Sequence, residues 1–161
     1  MQLSSSLTTR MHYQHKTIVE IIDGLTDEQI RRNIWPGKWS MFEIIVHLQT
    51  YQHTFVHRVK EILSGNNPEF SRYTAEADPL FLDNCTKSAR EVMHDLLTVR
   101  KEMTAEILNF PEADYDKKGV HPAFGSMTLA QWINFFLVHE GHHLFVLFKM
   151  AAELKKAGQT I

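Results

Sequence analysis

The chain has 161 residues, 43% of them hydrophobic and 22% charged, with a formal net charge of −2. That length and balance fit one folded domain over residues 1–161, and the near-neutral charge excludes the broad basic footprint that nucleic acid or an anionic membrane selects. The lone cysteine, Cys85, excludes an internal disulfide, and the Ser/Thr-rich start lacks the apolar run of a signal peptide, so a reducing, cytoplasmic setting is expected.

Periodicity at 3–4 residues predicts a first helix over residues 7–23, with Met11, Ile18, Ile21 and Ile22 apolar and Gly24 as its stop. A short helical turn over 26–32 follows, where Thr26 and Gln29 have capping-box spacing. Trp35-Pro36-Gly37-Lys38-Trp39 reads as a turn, since Pro and Gly together forbid helix continuation. Ser40 and Glu43 form another capping box, so the second helix starts at Ser40 and runs through Ile44, Leu48, Tyr51, Phe55, Val59 and Ile62 to about Ser64. Residues 69–84 read as an irregular loop anchored by Phe70, Tyr73 and Phe81. The third helix is expected over 86–109, opened by Thr86 or by Ser88 with Glu91 and closed before Pro111. After a second long connection, Thr128 and Gln131 open a fourth helix that runs to about Lys156, with Gly158 just beyond. Within it Trp132 to Val138 is the greasiest stretch, and His139 and Glu140 break it well short of membrane-spanning length. No segment has the pattern of a strand. Four amphipathic helices without strands predict an all-α four-helix bundle, and the two long connections argue against a plain up-down-up-down order.

Ten histidines are a high count, and their positions carry the functional reading. His139 and His143, four apart, share one helix face with Trp132, Phe136, Leu147, Met150 and Leu154. Two imidazoles in such an apolar stripe need partners for their nitrogens, and a metal ion satisfies both at once. His47, beside Ile44 and Tyr51, adds a third inward-facing imidazole from another helix. Three nitrogens leave the fourth tetrahedral position for water or substrate, the pattern of a catalytic rather than a structural zinc site.

His139-Glu140-Gly141-His142-His143 also matches the zinc-protease pattern H-E-x-x-H. A protease of that kind needs a third ligand downstream. The only acid among the 18 residues after His143 is Glu153, on the same helix, and no strand is available to line a peptide cleft. His53 and His57 form a further i, i+4 pair on a face expected to meet solvent or a partner subunit. His12, His15 and His94 read as surface residues, His142 as turned away from the ligand pair, and His121 as a candidate for the mouth of the site. Cys85 has no basic partner that would make it nucleophilic.

The set Gly37-Lys38-Trp39-Ser40, Glu43 and His47, followed by His121-Pro122, Gly125, Thr128-Leu129, Trp132 and His139-Glu140 with His142-His143, resembles the DinB-like family of metal-binding four-helix bundles. The resemblance covers about residues 7–156. It implies an up-down-down-up bundle, one divalent metal ion (zinc or nickel) on His47, His139 and His143, and a homodimer. Family activities include S-transfer from low-molecular-weight thiols such as bacillithiol, mycothiol or glutathione; other members are regarded as metal-dependent hydrolases. Where the family commonly continues after its last metal histidine with a basic residue and Gly-Gln, this chain has Leu144-Phe145-Val146, which replaces a polar group one turn from the ligand by apolar bulk. Three readings follow: a metal-dependent thiol S-transferase, a metal-dependent hydrolase, and a non-catalytic, stress-related metal-binding bundle.

Overall fold

A computed structural model describes residues 3–157. Seven helices make up most of it: α1 (Ser5–Tyr13), α2 (Thr17–Ile22), α3 (Asp27–Arg31), α4 (Met41–Leu63), α5 (Pro79–Asn84), α6 (Ala89–Leu108) and α7 (Leu129–Ala157). The first long helix expected from periodicity is divided by a 3-10 turn, Gln14–Lys16, and ends where Gly24 takes a left-handed φ of 76°. The side chains of the divided segment explain the break, because Gln14 turns inward to donate to Leu137 O at 2.7 Å and to Glu140 Oε1 at 2.9 Å. The capping boxes at Thr26, Ser40, Ser88 and Thr128 all form as the sequence predicts. Ser88 rather than Thr86 opens α6. Gly158 lies outside the described residues.

Two expectations are corrected. Residues 69–84 are not wholly irregular: Asp78 caps α5, whose Pro79 occupies the first turn, where a missing N–H costs nothing. The connection before α7 contains an antiparallel hairpin, β1 (Lys118–His121) and β2 (Gly125–Thr128), with Lys118 opposite Thr128 and His121 opposite Gly125. Strands of four residues, rich in Gly and Ser, are too short to show a two-residue period. The hairpin is held from outside. Phe70 N donates to Val120 O at 3.1 Å, Val120 N to Pro68 O at 2.8 Å, and Trp132 Nε1 to Gly119 O at 3.2 Å. Only glycine fits at 119, where a Cβ would stand 2.9 Å from Ile62 Cγ1.

Side-chain contacts fix the directions of the four long elements. Thr104 meets Met11 and Arg100 meets His15, so α1–α2 runs antiparallel to α6. Arg10 meets Asn134 and Lys155 meets Ile21 O, so α1–α2 runs parallel to α7. Asp95 meets Gln49 and Arg100 meets Gln52, making α4 and α6 parallel. The order is therefore up-down-down-up. Parallel neighbours α4 and α6 force the chain to return along the bundle, which is why residues 64–88 form a long crossover.

Two apolar clusters fill the bundle. One joins Ile18, Met41, Ile45, Leu96, Leu147, Met150 and Leu154; the other joins Met11, Phe55, Ile62, Met103, Ile107, Trp132 and Leu137. Between them every long helix contributes polar groups at one level: Gln14 and His15, then His47 and Gln52, then Arg100, then His139, Glu140 and His143. This belt contains the candidate site. No helix among the described residues is long and apolar enough to cross a membrane.

Candidate metal centre

The capping box at Ser40 sets the phase of α4 and turns His47 inward, 5% exposed, beneath Trp39, Tyr51 and Tyr73, whose ring centroids lie 5.1, 6.0 and 5.8 Å from its own. His139 and His143 stand one turn apart on α7 and face it. The three Nε2 atoms converge: His47 to His139 is 3.2 Å and His143 to His139 is 3.2 Å, with all ligand atoms of the trio within 4.8 Å of one another. The structure thus brings together all three residues singled out as ligands.

Neutral imidazoles alone do not explain this arrangement. His139 Nε2 faces two other ring nitrogens, yet it carries either one proton or one lone pair and so satisfies at most one of them. A central cation satisfies all three. For a tetrahedral ion at ~2.05 Å from each nitrogen, neighbouring nitrogens lie about 3.3 Å apart, close to the spacing observed. The electrostatics agree. Burial, with the other imidazoles adding to it, pushes His47, His139 and His143 each down to about 3, so all three are neutral and ligand-competent at physiological pH. The outer shell is sparse: Nδ1 of His47 and of His139 are buried and hydrogen-bond to no protein atom among the described residues.

Clefts flank the trio. One, about 610 Å³, is bounded by His47 and His139, by Tyr51, Arg58 and Tyr73, and by His121 of the hairpin. His121 therefore sits at the mouth of the site, as its sequence position suggests. Its Nδ1 accepts from the Ala123 and Phe124 amides at 3.1 and 3.2 Å, which leaves the proton on Nε2 as a donor. The other cleft, about 450 Å³, is lined by Trp35, Lys38, Trp39, His142, His143 and Val146. Of the two apolar replacements beside the last histidine, only Val146 faces a cleft; Phe145 is 62% exposed.

Other candidates separate clearly. His142 is exposed, His12, His57 and His94 are exposed, and His53 pairs with Asp95 at 3.2 Å at the surface. His15 is a correction: it is 4% exposed, with burial and the adjacent Arg100 lowering it to about 3. Glu43 is held in the Ser40 capping box, and burial raises the Cys85 thiol. Phe135 is half-covered by the hairpin, its ring 4.9 Å from that of His121.

Sequence reasoning missed two buried arginines. Arg100, 0% exposed, pairs with Glu140, 3% exposed, while Arg100 Nε donates to Gln52 Oε1 at 2.8 Å. That network, which Gln14 joins, consumes the glutamate of the H-E-x-x-H string. Arg58, 6% exposed, closes the first cleft. The available signal was spacing: eleven residues is about three helical turns, which puts Arg58 on the face of His47.

The family model for the DinB superfamily matches residues 10–147. The uncharacterized protein YuaE of Bacillus subtilis (strain 168) is 27% identical over 148 residues, covering 84% of this chain and 91% of that protein. Among solved structures, YfiT from Bacillus subtilis, described as a probable metal-dependent hydrolase with an unusual four-helix bundle topology, superposes with a TM-score of 0.80 at 16% identity, covering 93% of this chain and 86% of that one. The four-helix bundle protein TT2238 gives a TM-score of 0.64 at 15% identity over 88% and 95% of the two chains.

Proposed function

The chain belongs to the DinB superfamily, and on that premise we propose that His47, His139 and His143 hold one divalent ion, zinc or nickel, at the centre of a metal-dependent thiol S-transferase. The convergence of three neutral imidazoles, with His139 Nε2 3.2 Å from Nε2 of both His47 and His143, carries this reading. An ion held there would supply Lewis-acid activation of a nucleophile, making a thiol reactive at neutral pH. The residues around it favour a thiol over water. The larger cleft presents no carboxylate, Glu140 is committed to Arg100 and Glu43 to its cap, which leaves Glu76, exposed on the wall of the smaller cleft, as the acid beside His143. A thiol ionises far more easily than water and needs no general base. Tyr51, Tyr73 and Trp39 exclude solvent around His47, and His121 Nε2–H is a donor at the cleft wall for an oxygen of the electrophile.

Hydrolysis is the second reading, favoured by the description of YfiT as a probable metal-dependent hydrolase. Elemental analysis tests the ligand set: His143→Ala loses the bound metal and His142→Ala retains it, and the opposite order refutes the assignment. Transfer from bacillithiol, mycothiol or glutathione to a generic electrophile then falls on chelation and returns with zinc or nickel. Hydrolysis of esters or amides without any thiol transfer establishes the second reading instead.

A further inference from the structure

The larger cleft carries a feature that metal binding leaves unexplained. Arg58 is 6% exposed, yet no Asp or Glu pairs with it among the described residues, and none lines the cleft it closes. Among the described residues its guanidinium donates to two neutral oxygens, Tyr51 Oη at 3.3 Å and Ser71 O at 2.9 Å. The rings of Phe70, Trp132 and Tyr51, centred 5.3, 5.6 and 5.9 Å from its Cζ, hold it in place from the core side. Aromatic faces offset part of the desolvation of a cation, but a guanidinium has five N–H donors and here uses two. A buried charge kept without a counter-ion is costly, and Arg100 in the same bundle shows the usual solution, a buried carboxylate. Arg72 and His121 add further donors to the same walls.

We propose that Arg58 is the anion-binding end of the substrate cleft, and that the ligand carries an oxyanion, carboxylate or phosphate, remote from its reacting group. A planar guanidinium fork suits both oxyanions. Tyr51 bridges the two ends of the site: its ring centroid lies 4.7 Å from that of His139 and 5.9 Å from Arg58 Cζ, so both ends face one cleft. The ligand is therefore a small molecule that fits one cleft, with its reactive group at the three histidines and its charge at Arg58. This rests on the proposed reading of the triad and names the other end of its ligand.

Calorimetric titration of the metal-free full-length chain tests the anion end independently of the metal. Three probes suffice: glutarate, inorganic phosphate and the neutral glutaramide. Wild type is expected to bind at least one anion about tenfold or more tightly than Arg58→Met, with glutaramide showing no difference between the two proteins. Glutarate binding alone identifies a carboxylate ligand, and phosphate binding alone a phosphate ester. Arg58→Lys covers the case in which Arg58→Met fails to fold: it keeps the cation, loses the fork, and is expected to weaken anion binding several-fold while its circular dichroism spectrum is unchanged. Equal anion affinity in wild type and both variants overturns the proposal, as does a wild type that binds neither anion. Because no metal is present, a failed triad assignment leaves this result standing, and a failed anion result leaves the triad untouched.

Discussion

Glu140 offers the sharpest contrast between a motif reading and the structure. In an H-E-x-x-H site this residue is the general base, and its replacement by Gln abolishes activity while the fold survives. Here the same carboxylate is 3% exposed and carries the charge opposite Arg100, which is 0% exposed. Burial weakens the hold of Arg100 on its proton, and Glu140 opposes that. Glu140→Gln keeps the volume and the acceptor for Gln14 but leaves a core guanidinium facing neutral groups: Gln52, the His15 ring and the face of Phe136. Breaking one side of a buried pair costs about 3–5 kcal/mol. For a chain of this length that lowers Tm by roughly 6–20 °C. Calorimetry of wild type, Glu140→Gln, Arg100→Met and the double variant gives the coupling directly, and the double variant is expected to recover much of what either single change loses. Below its melting temperature Glu140→Gln should bind metal as wild type does. A Glu140→Gln protein that melts within about 2 °C of wild type, or that keeps its Tm while losing turnover, refutes this assignment.

Three further predictions follow from other positions. His15, lowered to about 3 in the fold against an ordinary value near 6.5, stays neutral when folded and takes up a proton when unfolded, so its contribution is present above pH 6.5 and is lost on acidification toward pH 3 at up to about 1.4 kcal/mol per pH unit; His15→Gln should flatten the fall of Tm between pH 6.5 and 4.5, and an unchanged slope contradicts it. We propose that Val138, Phe145 and Phe148, which are 55%, 62% and 60% exposed and fall with Gly141 in a 3-4-3 stripe, form a two-fold homodimer contact; light scattering should give twice 18.7 kDa for wild type and the monomer mass for Phe148→Glu, while a monomeric wild type at micromolar concentration contradicts it. Val146→Gln, by returning a polar group to the cleft beside His143, should raise thiol transfer several-fold, whereas Phe145→Gly, at an outward position, should not; equal effects of the two changes contradict the placement.

The sequence by itself determined the long helices α4, α6 and α7 and the inward faces of His47, His139 and His143, because both rest on local periodicity. Capping boxes at Ser40, Ser88 and Thr128 begin their helices where spacing says they must, and the four-residue step from His139 to His143 places both rings on one face in any α-helix. His47 was legible for the same reason, through its neighbours Ile44 and Tyr51. Tertiary structure alone decided what depends on partners far along the chain. Whether His15 and Glu140 meet water or a buried Arg100 is set by contacts 85 and 40 residues away, which no local period records. Whether Arg58 faces solvent or a cleft depends on the hairpin before α7, held to the crossover by backbone hydrogen bonds that carry no side-chain signature. A helix announces its own face, but only packing decides which charges that face leaves without a partner.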